Sequence, residues 1–100
     1  MKEARLAIRV ASRAGREIEE AAAWWRVNRP AHPEALSEEL GRAFELISQH
    51  PGIGAPALSP RLAGTRRLLL RRVGYFLHYR VAHRKQEIHV VGFRHAHRGR

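Results

Sequence analysis

Arginine and histidine carry most of the chemistry open to this chain. Along TRRLLLRRVGYFLHYRV, Thr65 to Val81, arginines alternate with apolar residues, and FRHAHRGR, Phe93 to Arg100, is a second dense basic stretch. Guanidinium groups stabilise the charge that develops on a phosphate during strand cleavage, and imidazole exchanges protons near neutrality. Those two groups and a substrate 2′-hydroxyl suffice for RNA cleavage without a metal. His95 and His97, at i and i+2, could ligate a cation from an extended tail, but no third ligand stands near them in sequence, so no metal site is expected.

Other reactive constellations are missing. The sequence has no cysteine, which removes disulfides, thiolate catalysis and cysteine-ligated zinc. It has no P-loop, no nucleophile elbow and no dinucleotide fingerprint, and no cofactor is expected. Glu17, Glu19, Glu20, Glu34, Glu38, Glu39 and Glu45 all fall in helical stretches, where pairing along the helix surface accounts for them. Ser48 and Ser59 lack a neighbour that would activate a hydroxyl.

The basic stretches need a scaffold, and periodicity supplies one. Residues 4–10 alternate Leu6, Ile8 and Val10 against Arg5, Ala7 and Arg9, the pattern of a strand with one buried face. Ser12 is then the expected N-cap of a helix whose stripe is Ala14, Ile18, Ala21, Ala22 and Trp25. Asn28, Arg29 and Pro30 stop it. A second helix is expected from Pro33, with Leu36, Leu40, Ala43, Phe44 and Ile47 inward, ended by Pro51 and Gly52. The short link makes the pair an antiparallel hairpin. Residues 53–64 read as a loop, and strands follow at about 66–71, 75–81 and 87–93, joined by tight links into an antiparallel meander.

The expected architecture is therefore α+β, in the order β-α-α-β-β-β, with the helices on one sheet face. Leu68, Leu70, Leu77, Tyr79, Ile88 and Val90 should point at the helices. Arg67, Leu69, Arg71, Phe76, His78, Arg80, His89 and Val91 should point away. Trp25 belongs to the core and Trp24 to the helix flank, where it either packs under the loop or meets a partner.

At 100 residues the chain is one domain. Nineteen Lys and Arg against nine Asp and Glu give a formal charge of +10. Such a field draws nucleic acid or acidic protein. No apolar run suggests a signal peptide or a membrane span, so a soluble cytoplasmic protein is expected.

The order of elements, together with WWRVNRP at 24–30, HPGIG at 50–54, RRLLLRRVGYFLHYRV at 66–81 and the basic C-terminal exit, resembles the RelE/ParE superfamily of bacterial type II toxins. The resemblance spans essentially the whole chain. It implies a compact toxin neutralised by a cognate antitoxin, an acidic one suiting the charge, in a hetero-oligomer. In the RNA-cleaving branch the toxin cuts mRNA in the ribosomal A site with basic groups on the outward sheet face. Carried over, those positions fall on Arg67, Leu69, Phe76 and the stretch Arg94 to Arg98, and Leu69 and Phe76 lack the charge that branch needs; a nuclease here would have to use Arg67, Arg80, Arg94, His95, His97 and Arg98. The departure favours the ParE-like branch, whose members poison DNA gyrase by binding. Trp24, Arg67, Leu69, Arg71, Phe76, His78, Arg80 and Arg94 are then the expected antitoxin or target contacts. A small basic nucleic-acid-binding domain is the remaining alternative.

Overall fold

The structure, a computed structural model, describes residues 5–58 and 60–96. Strand β1 (Ala7–Val10) leads into helix α1 (Ser12–Asn28) and helix α2 (Ala35–Gln49). A two-residue strand β2 (Ala55–Pro56) precedes β3 (Thr65–Leu70), β4 (Tyr75–Ala82) and β5 (Glu87–His95). The sheet order is β1-β5-β4-β3-β2. The meander is antiparallel, as expected, whereas β1 lies parallel to β5, with Ile8 opposite Ile88 and Val10 opposite Val90. The helical hairpin and the strands β2 to β4 lie between the two in sequence, the long connection that a parallel pair requires.

The helices cover one face. Leu36, Ile47, Leu77, Tyr79, Ile88 and Val90 are almost fully excluded from water, with Ala14, Ala21 and Trp25 packed beside them. The inward set read from alternation is borne out, Leu68 being half-buried against the same cluster.

Boundaries moved where tertiary bonds intervene. Ala11, not Ser12, is the N-cap, because the Ala11 N–H is held by the Val90 carbonyl (3.0 Å) and the chain stays extended one residue further. Ala11 has no side-chain acceptor, so this helix start goes uncapped. The second helix begins at Ala35, not Pro33. The His32 carbonyl accepts both the Ala35 N–H (3.1 Å) and the Trp25 indole N–H (2.9 Å), which closes a turn before the helix starts. The stretch 53–64 also yields the short strand β2, pairing Ala55 with Arg67 and Pro56 with Arg66.

One irregularity sets the geometry of the far end. His78 faces Gly92 while Tyr79 faces Val90, so Val91 is an extra residue, a β-bulge in β5. Plain alternation continued past Val91 would turn Phe93 outward. The bulge resets the period and buries Phe93 against the Tyr75 ring, stacked at 4.8 Å and 4°.

Candidate functional site

The outward face of β3, β4 and β5 gathers most of the basic residues singled out in the sequence. Strand register places Arg67 beside His78, Leu69 beside Phe76, and Phe76 beside Arg94. The Arg67 guanidinium lies over the Phe76 ring at 4.4 Å, a cation–π contact. Phe76 and His78 neighbour each other along β4, their rings tilted by 55° with centroids 6.2 Å apart. Arg71 stands in the β3–β4 turn, and Arg80 lies one pair further along β4, opposite His89. His89 bonds Glu87 (2.9 Å), which also takes the Arg9 guanidinium (3.0 Å).

His78 is the perturbed histidine of this face. Burial pushes its pKa below the ordinary 6.5, and the charges of Arg94 and Arg67 push it further down, against an opposing pull from Glu17. It is therefore a neutral imidazole at physiological pH, able to accept a proton.

Sequence pattern marks Glu17 as an ordinary helix-surface acid, and its 3.6 Å contact with Arg13 one turn earlier is of that kind. Its main role is different. Beyond the end of β1, the outer edge of β5 would expose the Phe93 N–H, and Glu17 accepts it (2.9 Å) while lying 3.6 Å from the Arg94 guanidinium. No motif marks this role, because the bulge that aims the Phe93 N–H at α1 depends on the pairing of two strands far along the chain.

His95 does not join the outward set. It is paired with Tyr75 on the helix side, its ring edge-on to that of Tyr75 at 5.1 Å and 83°. There it helps line a groove of about 790 Å³ with Glu17, Glu20, Ala21, Trp24, Phe93 and Arg94. Trp24 is 46% exposed on one wall, and Arg29 lies over both tryptophan rings at 5.5 and 5.7 Å. His97 and Arg98 lie outside the described residues. Among the described residues no cluster of three His, Asp or Glu could hold a metal, and no helix is long and apolar enough to cross a membrane.

The placement of Leu69 and Phe76 makes a first prediction. Replacing them together by Leu69→Lys and Phe76→Arg should leave a cooperative thermal transition, because both project from the side opposite the core. A melt that broadens or disappears would mean that the outward face is packed.

A family model described as ParE toxin of type II toxin-antitoxin system, parDE, matches residues 8–99. No curated protein sequence matches. Among solved structures, the chain is similar to the chromosomal ParDE toxin-antitoxin system from P. aeruginosa, with TM-score 0.73 and 18% identity over 93% of this chain and 98% of that one. It is also similar to the RelBE2 toxin-antitoxin complex from Mycobacterium tuberculosis, with TM-score 0.67 and 24% identity over 91% and 98%. The isolated E. coli RelE toxin matches with TM-score 0.56 and 23% identity over 94% and 87%. At these identities the structures attest the shared fold.

Proposed function

The chain belongs to the ParE toxin family of type II toxin-antitoxin systems, and from that premise we propose that it poisons DNA gyrase by binding and is held in check by an acidic cognate antitoxin. The observation that carries this reading is the centre of the outward face. Leu69 and Phe76 are paired there, and Phe76 engages the Arg67 guanidinium. Neither residue can donate to a phosphate or hold a proton, and a missing donor in a phosphoryl-transfer site can cost about 3 kcal/mol of barrier. A +10 chain with such a face is suited to grip an acidic protein.

RNA cleavage remains the second reading, favoured by one observation. Burial, with the charges of Arg94 and Arg67, holds His78 neutral, a suitable state for a general base. The two readings part in paired assays with purified protein. The first expects inhibition of gyrase supercoiling and uncut mRNA in a translation extract. Intact supercoiling together with A-site cleavage that is abolished by His78→Gln would reverse the order.

A further inference from the structure

The outward face holds an apolar dimple inside a cationic frame. Leu69, Phe76, Gly74 and Ala96 line a hollow of about 380 Å³ with Arg71 on its rim. Leu69 is 36% exposed. Along β3 and into the turn, Arg67, Leu69 and Arg71 repeat cation, apolar, cation at every second residue. Among the described residues no carboxylate pairs with Arg67, Arg71 or Arg80. Beyond Arg67, the outer edge of β3 has no strand beside it among the described residues, since β2 reaches only Arg66 and Arg67.

Taking the antitoxin-neutralised reading as its basis, we infer that this dimple docks an extended acidic segment of the antitoxin, which inserts one large aliphatic side chain against Leu69 and Phe76 and sets a carboxylate two residues to either side, on Arg67 and Arg71. A strand-like segment repeats its side chains on one face every second residue, the same period as the frame. Guanidinium groups take carboxylates through paired N–H donors. The alternative polyanion, single-stranded RNA, is served less well. Bases bind such faces by stacking on open aromatic rings, whereas the Phe76 ring already carries Arg67 and its neighbour Leu69 has no ring. An aliphatic side chain gains from burial against both.

The test uses the full chain and a fluorescein-labelled peptide Gly-Ser-Asp-Thr-Leu-Thr-Asp-Ser-Gly, followed by anisotropy. Burial of the leucine should be worth roughly tenfold in affinity or more, so changing it to serine should cost at least that. Changing both aspartates to asparagine should weaken binding by roughly fivefold, because the ion pairs lie at a solvated rim. Leu69→Asp, checked for an unchanged melt, should remove binding. No binding up to about 1 mM peptide, equal binding of the serine peptide, or displacement of the peptide by a 12-nucleotide oligouridylate that binds more tightly would each overturn the site.

A second arm separates this site from the reading beneath it. The protein encoded beside the toxin gene is co-expressed with the wild-type chain and with Leu69→Asp, and growth is scored. Escape of only Leu69→Asp from neutralisation supports the site. Equal neutralisation of both overturns it while the antitoxin reading stands. Peptide binding with the expected pattern, but no neutralisation of either chain, keeps the site and overturns that reading.

Discussion

Gly54→Ala should lower the melting temperature by roughly 12–24 °C, a large loss for a change that adds one methyl group. A Cβ at Gly54 would lie 2.8 Å from the Tyr79 hydroxyl and 2.9 Å from the Arg67 carbonyl oxygen. The hydroxyl is no loose end. It donates to the Pro51 carbonyl (2.8 Å) and accepts the Gly54 N–H (2.9 Å), and Tyr79 is fully buried. Burial raises the phenol pKa above its ordinary 10, which keeps the donor protonated. Arg66 completes the arrangement by donating to the Gly54 carbonyl (2.6 Å) and the Gly52 carbonyl (3.2 Å).

The methyl must therefore push apart a backbone and a buried ring. Overpacking of this kind costs about 1–3 kcal/mol, and a buried polar group stripped of its partner costs about 1–3 kcal/mol more. A total near 3 kcal/mol is expected. Because one of the two colliding atoms is the Tyr79 oxygen, Tyr79→Phe should rescue part of the loss in a double-mutant cycle, and the Arg67 carbonyl should keep the rest. An alanine variant melting within about 2 °C of the parent would show that the loop is not pinned to β4 in this way.

Glu17→Ala should destabilise the fold by about 2 kcal/mol, a large cost for a helix-surface acid. Its carboxylate is the acceptor for the Phe93 N–H at the bulge, and Phe93 is 3% exposed. Glu17→Gln keeps an acceptor oxygen and should retain most of that stability, so denaturant midpoints should order as parent, glutamine, alanine. Equal midpoints for glutamine and alanine would assign the effect to charge alone.

The same substitution carries a pH signature. His78 has a folded pKa below its unfolded value of 6.5, so the unfolded chain binds the extra proton. The stability linked to His78 is complete above 6.5 and is lost as pH falls through the folded value. Among the described residues Glu17 is the one group that opposes the depression. Removing its charge, in either variant, lowers the folded pKa further and deepens the loss on the acid side. An imidazole titration followed by NMR should show the His78 midpoint moving down, and an upward move would contradict the placement of Glu17 beside it.

The parts of this molecule that local pattern controls were legible in the sequence. Period two sorted Leu77, Tyr79, Ile88 and Val90 from His78, Arg80 and His89 because one sheet face is buried and the other wet. Helical spacing found Leu36, Leu40 and Ile47 for the same reason. The family resemblance followed from the order of those elements and a few ordered segments. What escaped were features fixed by contacts between distant residues. Val91 bulges because β5 meets β4 out of register, and that one residue moved Phe93 and His95 to the helix side. Ser12 lost the cap to Ala11 because the Ala11 N–H donates to the Val90 carbonyl. Glu17 became an acceptor only once the bulge had aimed an N–H at it.

The pairing of β1 with β5 has a consequence for how the chain is made. Residues 7–10 lie beside residues 87–90, so the sheet joins the two ends of the sequence. Contacts that span nearly the whole chain are slow to form, because the loop between them must close first. During synthesis β1 must wait for β5, and α1 waits too, since most of its sheet contact is with that strand. A nascent chain stopped short of β5 lacks both the neighbour of β1 and the seat of α1, so incomplete products of this gene should stay unfolded and harmless.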